Sequence, residues 1–309
     1  MAEIYFAGGC FWGVAHFFSG VGGVLGAVSG YAQGAPGFER RPSYEEVYTD
    51  TTGFAETVRV TYKPERISLE TLADLYFTII DPLSLNRQGH DEGTRYRTGV
   101  YYSDPTDLPV LKAVFERVSA RLGQPLAVEL EPLRNFFEAE ERHQDYLVKH
   151  PDGYCHLPSK VFKYLRLYQD LAALLGDEPD LVARMAEASA LIYERMKFFW
   201  VGFYRVAPAL TAEAQELVLG PFQGPAACLR IGYGKGVCGT SWKEARTVVV
   251  PDVEAFPGHI ACSSLSKSEI VVPVMRDGSV SAVLDIDSTA PDTFDSSDAV
   301  WLEKICKLI

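Results

Sequence analysis

The chain has 309 residues, 47% of them apolar and 23% charged, with a formal net charge of -12. That length exceeds the size at which single hydrophobic cores stop growing, so two domains are expected, and the composition is that of a folded globular protein. The scattered acidic excess repels polyanions and argues against nucleic acid as a partner, while no stretch approaches the roughly 20 apolar residues of a membrane helix.

The first lysine or arginine is Arg40, so the opening segment lacks the positive region of a secretory leader and is expected to belong to the folded protein. EIYFA alternates as a short strand and FWGVAHFFSGV has helical spacing, which sets Cys10 at a strand-to-helix junction. Residues 20–37, rich in glycine, are expected to be loop and short strand. ETVRVTYKP alternates as a strand, SLETLADLYFTIID spaces as an amphipathic helix and TGVYYSD as a strand. PTDLPVLKAVFERVSARLG then makes a helix stopped by glycine, and LAVELEPL a further strand. After HPDGYCHLPSK, two helical segments flank GDEPD, which places the boundary between domains 1–164 and 165–309. The strands FFWVGFYRV, ELVLG, ACLRI, TVVVPDV, EIVVPVM and AVLDID follow, closed by the helix SDAVWLEKICKL. The fold class is α+β, with an antiparallel sheet covered on one face expected in the second half.

The six cysteines, at positions 10, 155, 228, 238, 262 and 306, are few for a disulfide scaffold and include no C-x-x-C pair. They are expected to be reduced thiols of a cytoplasmic protein. At a helix N-terminus the macrodipole lowers a thiol's pKa, so Cys10 is a candidate nucleophile, exposed beside Phe11 and Trp12 at the floor of an apolar pocket. Glu56, Asp91 and Glu92, in TGFAETVRV and NRQGHDEGTRYR, are candidate proton donors.

Together GGCFWG, GYA at residues 30–32, PSYEEV, TGFAE, NRQGHDEGTRYR and HPDGYCH resemble, in order over residues 3 to 158, the A-type peptide methionine sulfoxide reductases. That resemblance implies a mixed-sheet, two-layer domain acting on the S epimer of free and protein-bound methionine sulfoxide. Cys10 would attack the sulfoxide sulfur, Phe11 and Trp12 would receive the methyl group, and Glu56 would protonate the oxygen. Tyr31 and Tyr96 would hydrogen-bond that oxygen, and Asp91 would complete the polar network. The sulfenic acid left on Cys10 would be resolved by Cys155, and the disulfide reduced by thioredoxin or another dithiol. The chain departs from the pattern at Phe54, where histidine is usual before the Ala-Glu pair. Cys155 with His143, His150 and His156 has no regular ligand spacing, so no metal is expected.

GKGVCGT resembles a phosphate loop in its glycines but lacks the ending such a loop requires. Instead SALIYERM, WVGFY, LGPFQG, GVCGT, PDV, GHIAC, SEIVVP and LDIDS resemble the free methionine-R-sulfoxide reductase branch of the GAF domains, from about Tyr168 onward. The resemblance makes Cys262 the nucleophile, Cys228 its resolving partner and Cys238 an auxiliary thiol, although the sequence leaves open which of the two reaches Cys262. Glu269, Asp285 and Asp287 match pocket acids, and Trp200 and Tyr204 match aromatic walls. Ser263 stands where an acid is usual. Such domains often form homodimers. The expectation is a bifunctional reductase with no bound cofactor; the alternative is an S-sulfoxide reductase regulated by a non-catalytic ligand-binding domain.

Overall fold

The computed structural model describes residues 1–210, 214–260 and 262–309, which divide into two compact units, Met1–Phe162 and Lys163–Ile309. Among the described residues no helix is long and apolar enough to cross a membrane.

The first unit runs β1 (Ala2–Gly8), α1 (Phe11–Ser19), β2 (Val24–Ala32), α2 (Tyr44–Tyr48), β3 (Ala55–Tyr62) and α3 (Leu69–Tyr76). It continues with β4 (Arg87–Gln88), β5 (Asp91–Glu92), β6 (Thr98–Tyr102), α4 (Leu108–Leu122), β7 (Glu129–Pro132), β8 (Phe136–Glu138) and α5 (Tyr146–Lys149). Its main sheet has the order β7-β6-β1-β3-β2-β8 and is mixed, because β6 and β7 pair in parallel while the other pairs are antiparallel. Ile4, Phe6, Val58 and Val60 alternate onto one face and are fully buried. There Phe6 stacks on Phe18 of α1 at 4.7 Å and on Tyr76 of α3 at 4.9 Å between ring centroids. Each such ring contributes about 1.5–3 kcal/mol by burial. The opposite face carries Tyr5, Ala7, Ala32, Ala55 and Tyr101 under Leu133 and Phe136.

Two elements differ from expectation. The glycine-rich stretch forms a nine-residue strand, β2, because β3 and β8 pair with it on both edges and that pairing overrides its weak propensity. α3 stops at Tyr76, short of the run to Asp81: the Thr78 hydroxyl donates to the Leu75 carbonyl (2.6 Å) and Gln88 binds the Asp81 backbone at both its N–H and C=O.

α6 (Ser159–Leu175) spans the boundary between the units. The second unit follows with α7 (Leu181–Met196), β9 (Trp200–Pro208), β10 (Gln215–Gln223), β11 (Arg230–Gly232), α8 (Gly236–Glu244), β12 (Val248–Val250), β13 (Ser268–Arg276), β14 (Ser279–Ser288) and α9 (Ser296–Cys306). Its sheet, ordered β11-β10-β9-β14-β13-β12, is antiparallel throughout. The sheet is covered on both faces, not one. Val271 and Val283 pack with Val237, Cys238 and Trp242 of α8, whereas Ile270, Val272 and Leu284 point the other way and are equally buried. α8 corrects the placement of Cys238 at a strand-loop edge: two glycines disguise GVCGTSWKE as loop, but packing of Val237 and Trp242 makes it a helix.

Two candidate active sites

In the first unit β1 ends at Gly8, and Gly9 turns the chain with φ +80°, so that Cys10 becomes the N-cap of α1. The first N–H of that helix, on Phe11, donates to Glu56 Oε2 at 2.9 Å, which draws the β3 carboxyl to the thiol. Glu56 is 1% exposed, and burial raises its pKa from 4.5 to about 8 against the lowering effect of the Phe11 N–H. Cys10 is not the exposed, acidic thiol expected. It is 5% exposed, and burial, reinforced by Glu56, pushes its pKa well above the ordinary thiol value. The Trp12 N–H lowers it, as a helix N-terminus should, but desolvation wins.

Phe11 is buried against Tyr31 (5.8 Å) and His143 (5.3 Å). Trp12 stacks on Tyr146 at 3.7 Å and donates Nε1–H to His143 Nδ1 at 3.2 Å, forming one wall of a groove with Tyr44 and Tyr48. Tyr31 lies directly across from Glu56 in the β2–β3 register, but its hydroxyl donates to Glu140 at 2.8 Å. Tyr96 is buried beneath the Arg95 guanidinium, and burial with the nearby Glu56 raises its pKa. Asp91 accepts from the Tyr154 hydroxyl at 2.8 Å, while its buried Oδ2 has no hydrogen-bond partner. Cys155 is half-buried, and its sulfur would lie 3.1 Å from a Cβ on Gly13, so it rests against the first turn of α1. Phe54 packs on Phe38 and Phe137 and is an apolar plug.

Sequence reasoning missed Tyr44 and Glu140, and weighed His156 only as a metal ligand beside Cys155. Burial, Glu56 and Cys10 together push Tyr44 up to about 12, which marks it as a neighbour of both. Glu140 binds the Tyr31 hydroxyl and the Tyr44 N–H. Tyr44 sits inside PSYEEV, whereas no quoted motif contains Glu140. Of the three histidines only His156 stays beside Cys155: His143 lies beside Trp12 and Glu140, and His150 beside the Tyr146 ring. Ligand-type atoms of Cys10, Asp91 and His156 do come within 4.8 Å of one another, as do those of Cys238, Glu269 and Asp285.

In the second unit Glu269 and Asp287 are register partners across β13 and β14, and Asp285 follows two residues along the same face. Cys238 descends from α8 onto this group, its sulfur 4.0 Å from Glu269 Oε1. Burial raises all three acids, and mutual repulsion adds to the shift of Glu269 and Asp285; Asp287 reaches about 6. The same burial and the acids raise the Cys238 thiol. Trp200 is the cross-strand partner of Asp287 and stacks on Tyr204 at 6.1 Å. The Tyr204 hydroxyl donates to the Cys228 carbonyl at 3.0 Å. Cys228 and Cys262 are joined in a disulfide with their Cα atoms 5.5 Å apart, and Cys262 lines the pocket that holds the acids. The Ser263 hydroxyl accepts a local bond from the Leu265 N–H. Cys306 is buried on α9.

Residues 2–171 match the family model described as peptide methionine sulfoxide reductase, and residues 177–309 match the GAF domain. The chain belongs to the peptide methionine sulfoxide reductase family. It is 47% identical over 163 residues to peptide methionine sulfoxide reductase MsrA of Clostridium acetobutylicum, covering 53% of this chain and 99% of that protein. Its second part is 50% identical over 151 residues to GAF domain-containing protein A of Dictyostelium discoideum, covering 49% of this chain and 92% of that protein. A free methionine-R-sulfoxide reductase from Neisseria meningitidis, solved with its substrate, is 48% identical over 47% of this chain and 84% of its own, with a TM-score of 0.45. This family member is a methionine sulfoxide reductase, of α+β class in both units.

Proposed function

We propose that the first unit reduces the S epimer of free and protein-bound methionine sulfoxide, and the second the R epimer of the free amino acid. The observation that carries the first assignment is the buried Glu56 carboxyl beside the buried Cys10 thiol, both protonated at neutral pH. Their protons balance the reaction. As the Cys10 sulfur bonds to the sulfoxide sulfur, Glu56 gives its proton to the oxygen and recovers one from the thiol. Methionine leaves, and Cys10 holds the oxygen as a sulfenic acid. Phe11 and Trp12 supply apolar walls for the methyl group, and Tyr31, Tyr96 and Asp91 surround the oxygen. Cys155 then displaces the oxygen as water, and thioredoxin reduces the resulting disulfide by thiol exchange.

In the second unit, Cys262 attacks and Cys228 resolves, a pairing supported by the disulfide between them. Glu269, Asp285 and Asp287 suit a free amino acid: one can hold the proton for the sulfoxide oxygen while others meet the ammonium group, which an internal peptide residue lacks. Trp200 and Tyr204 wall the pocket, and Cys238 is an auxiliary thiol. The test uses the full chain and resolved epimers. Cys10→Ser should abolish S-epimer reduction and spare the free R epimer, and Cys262→Ser should do the reverse; loss of both activities from either change would defeat the two-site assignment.

A further inference from the structure

The segment that carries Cys155 brings a second reactive group to the first site. His156 Nε2 lies 3.0 Å from the Gly8 carbonyl oxygen. A carbonyl only accepts, so Nε2 carries the ring proton and Nδ1 keeps the lone pair. Nδ1 is buried and has no hydrogen-bond partner. A Cβ on Gly13 would come 3.1 Å from the Cys155 sulfur and 3.2 Å from His156 Nδ1, so both atoms border the same small space over α1. The Cys10 sulfur, a ring nitrogen of His156 and an Asp91 carboxylate oxygen lie within 4.8 Å of one another. The imidazole thus adjoins both sulfurs that must bond in the resolving step. Attack on the sulfoxide does not require it, since Glu56 and Cys10 already balance that step.

We propose that His156 is the base of the resolving step: Nδ1 takes the Cys155 proton as the Cys155 sulfur attacks the Cys10 sulfenic acid, and passes it to the departing oxygen. The sulfur–sulfur bond forms, the sulfur–oxygen bond of Cys10 breaks, and the oxygen leaves as water. The Cys10 sulfur is reduced from the sulfenic level, the Cys155 sulfur is oxidised from the thiol level, and His156 ends neutral. Cys155 needs such a base because burial raises its thiol above the ordinary value. Burial also keeps His156 neutral and ready to accept. The titratable groups facing the ring are Cys10 from the β1–α1 junction, Asp91 from β5 and the adjoining Cys155; Asp91 stabilises the imidazolium while it exists.

This role rests on the S-epimer assignment, and one experiment separates the two. The full chain is given one turnover of the S epimer without reductant. Methionine release reports the attack, and loss of trappable sulfenic acid with loss of free thiol reports the disulfide. His156→Gln retains a donor for the Gly8 carbonyl but has no base, and His156→Ala opens space for added imidazole. Disulfide formation at neutral pH should fall by about 10²-fold or more in both variants, with methionine release within about threefold of wild type. The slowed step should accelerate about tenfold per pH unit toward the thiol's own ionisation, and imidazole should restore it in His156→Ala. Disulfide formation in His156→Gln within about threefold of wild type would reduce His156 to an anchor and overturn the proposal, as would an equal fall in both steps. Absence of methionine release in the unaltered protein would instead defeat the S-epimer assignment.

Discussion

Replacing Glu56 by glutamine tests the proton account most directly. With its carboxyl at about 8, Glu56 is roughly nine-tenths protonated at pH 7. Glutamine preserves the shape and an oxygen for the Phe11 N–H but has no proton to transfer. Single-turnover methionine release from the S epimer should fall by about 10² to 10⁴. The wild-type rate should hold below pH 8 and drop about tenfold per unit above it, a limb that Glu56→Gln should lack. Stability moves with the same proton. The folded pKa is above the unfolded one, so the linked stability is full below pH 4.5 and is lost as pH rises to about 8. At about 1.36 kcal/mol per unit the loss is on the order of 5 kcal/mol. The variant escapes it and should gain stability over wild type between pH 5 and 8, measured by urea-dependent exposure of Cys10 and Cys155 to a thiol reagent. A fall in release of less than about tenfold, with the alkaline limb unchanged, would show that the proton comes from elsewhere.

Cys155→Ser should release about one methionine per chain from the S epimer and then stall with thioredoxin; sustained turnover would mean another thiol resolves Cys10. Gly13→Ala should slow formation of the Cys10–Cys155 disulfide several-fold, because its Cβ would press on the Cys155 sulfur at 3.1 Å, while gaining about 1 kcal/mol of helix propensity; stopped-flow thiol loss and urea midpoints check both halves. Cys228→Ser should stop thioredoxin-driven reduction of the free R epimer, whereas Cys238→Ala should retain most of it, since the Cys238 sulfur sits against Glu269 at 4.0 Å and Cys228 already reaches Cys262. Comparable losses in the two variants would show that turnover needs Cys238 as much as Cys228 and would overturn its auxiliary role.

Alternation and helical spacing carried most elements into view because they depend on local pattern, as in β1, α1, β3 and β6. The exceptions have non-local causes. β2 is a strand through its neighbours on both edges, and α8 is a helix through the packing of Trp242 and Val237, neither of which its own glycines announce. The same division runs through the sites. Cys10, Glu56 and Asp91 could be named from motifs, but the sign of the Cys10 shift could not. The helix-terminus effect is local and visible in sequence, whereas the burial that overwhelms it depends on the folded surroundings. His156 came into view only as a weak metal-ligand candidate, because its neutral ring and free nitrogen follow from a bond to Gly8, far away along the chain.

The two units raise a carboxyl's pKa by different balances of the same forces, with consequences for when the proton is available. Desolvation is the largest cause in both; in the first, Asp91 is the one acid that adds repulsion to the shift of Glu56. In the second, Glu269 owes part of its shift to Asp285 and Asp287, and Asp285 part of its own to Asp287. An ammonium group placed among them offsets that repulsion and lowers the pKa of whichever carboxyls remain beside it. On the proposed assignment, binding of a free amino acid would therefore make a proton easier to release at the moment the sulfoxide oxygen arrives to receive it. A peptide-bound residue carries no such charge at its nitrogen, so it would leave the acids in their resting, proton-retaining state. On the proposed assignment, charge recognition and proton delivery would be one property of the acid cluster, and the restriction of the second unit to free substrate would follow from its electrostatics.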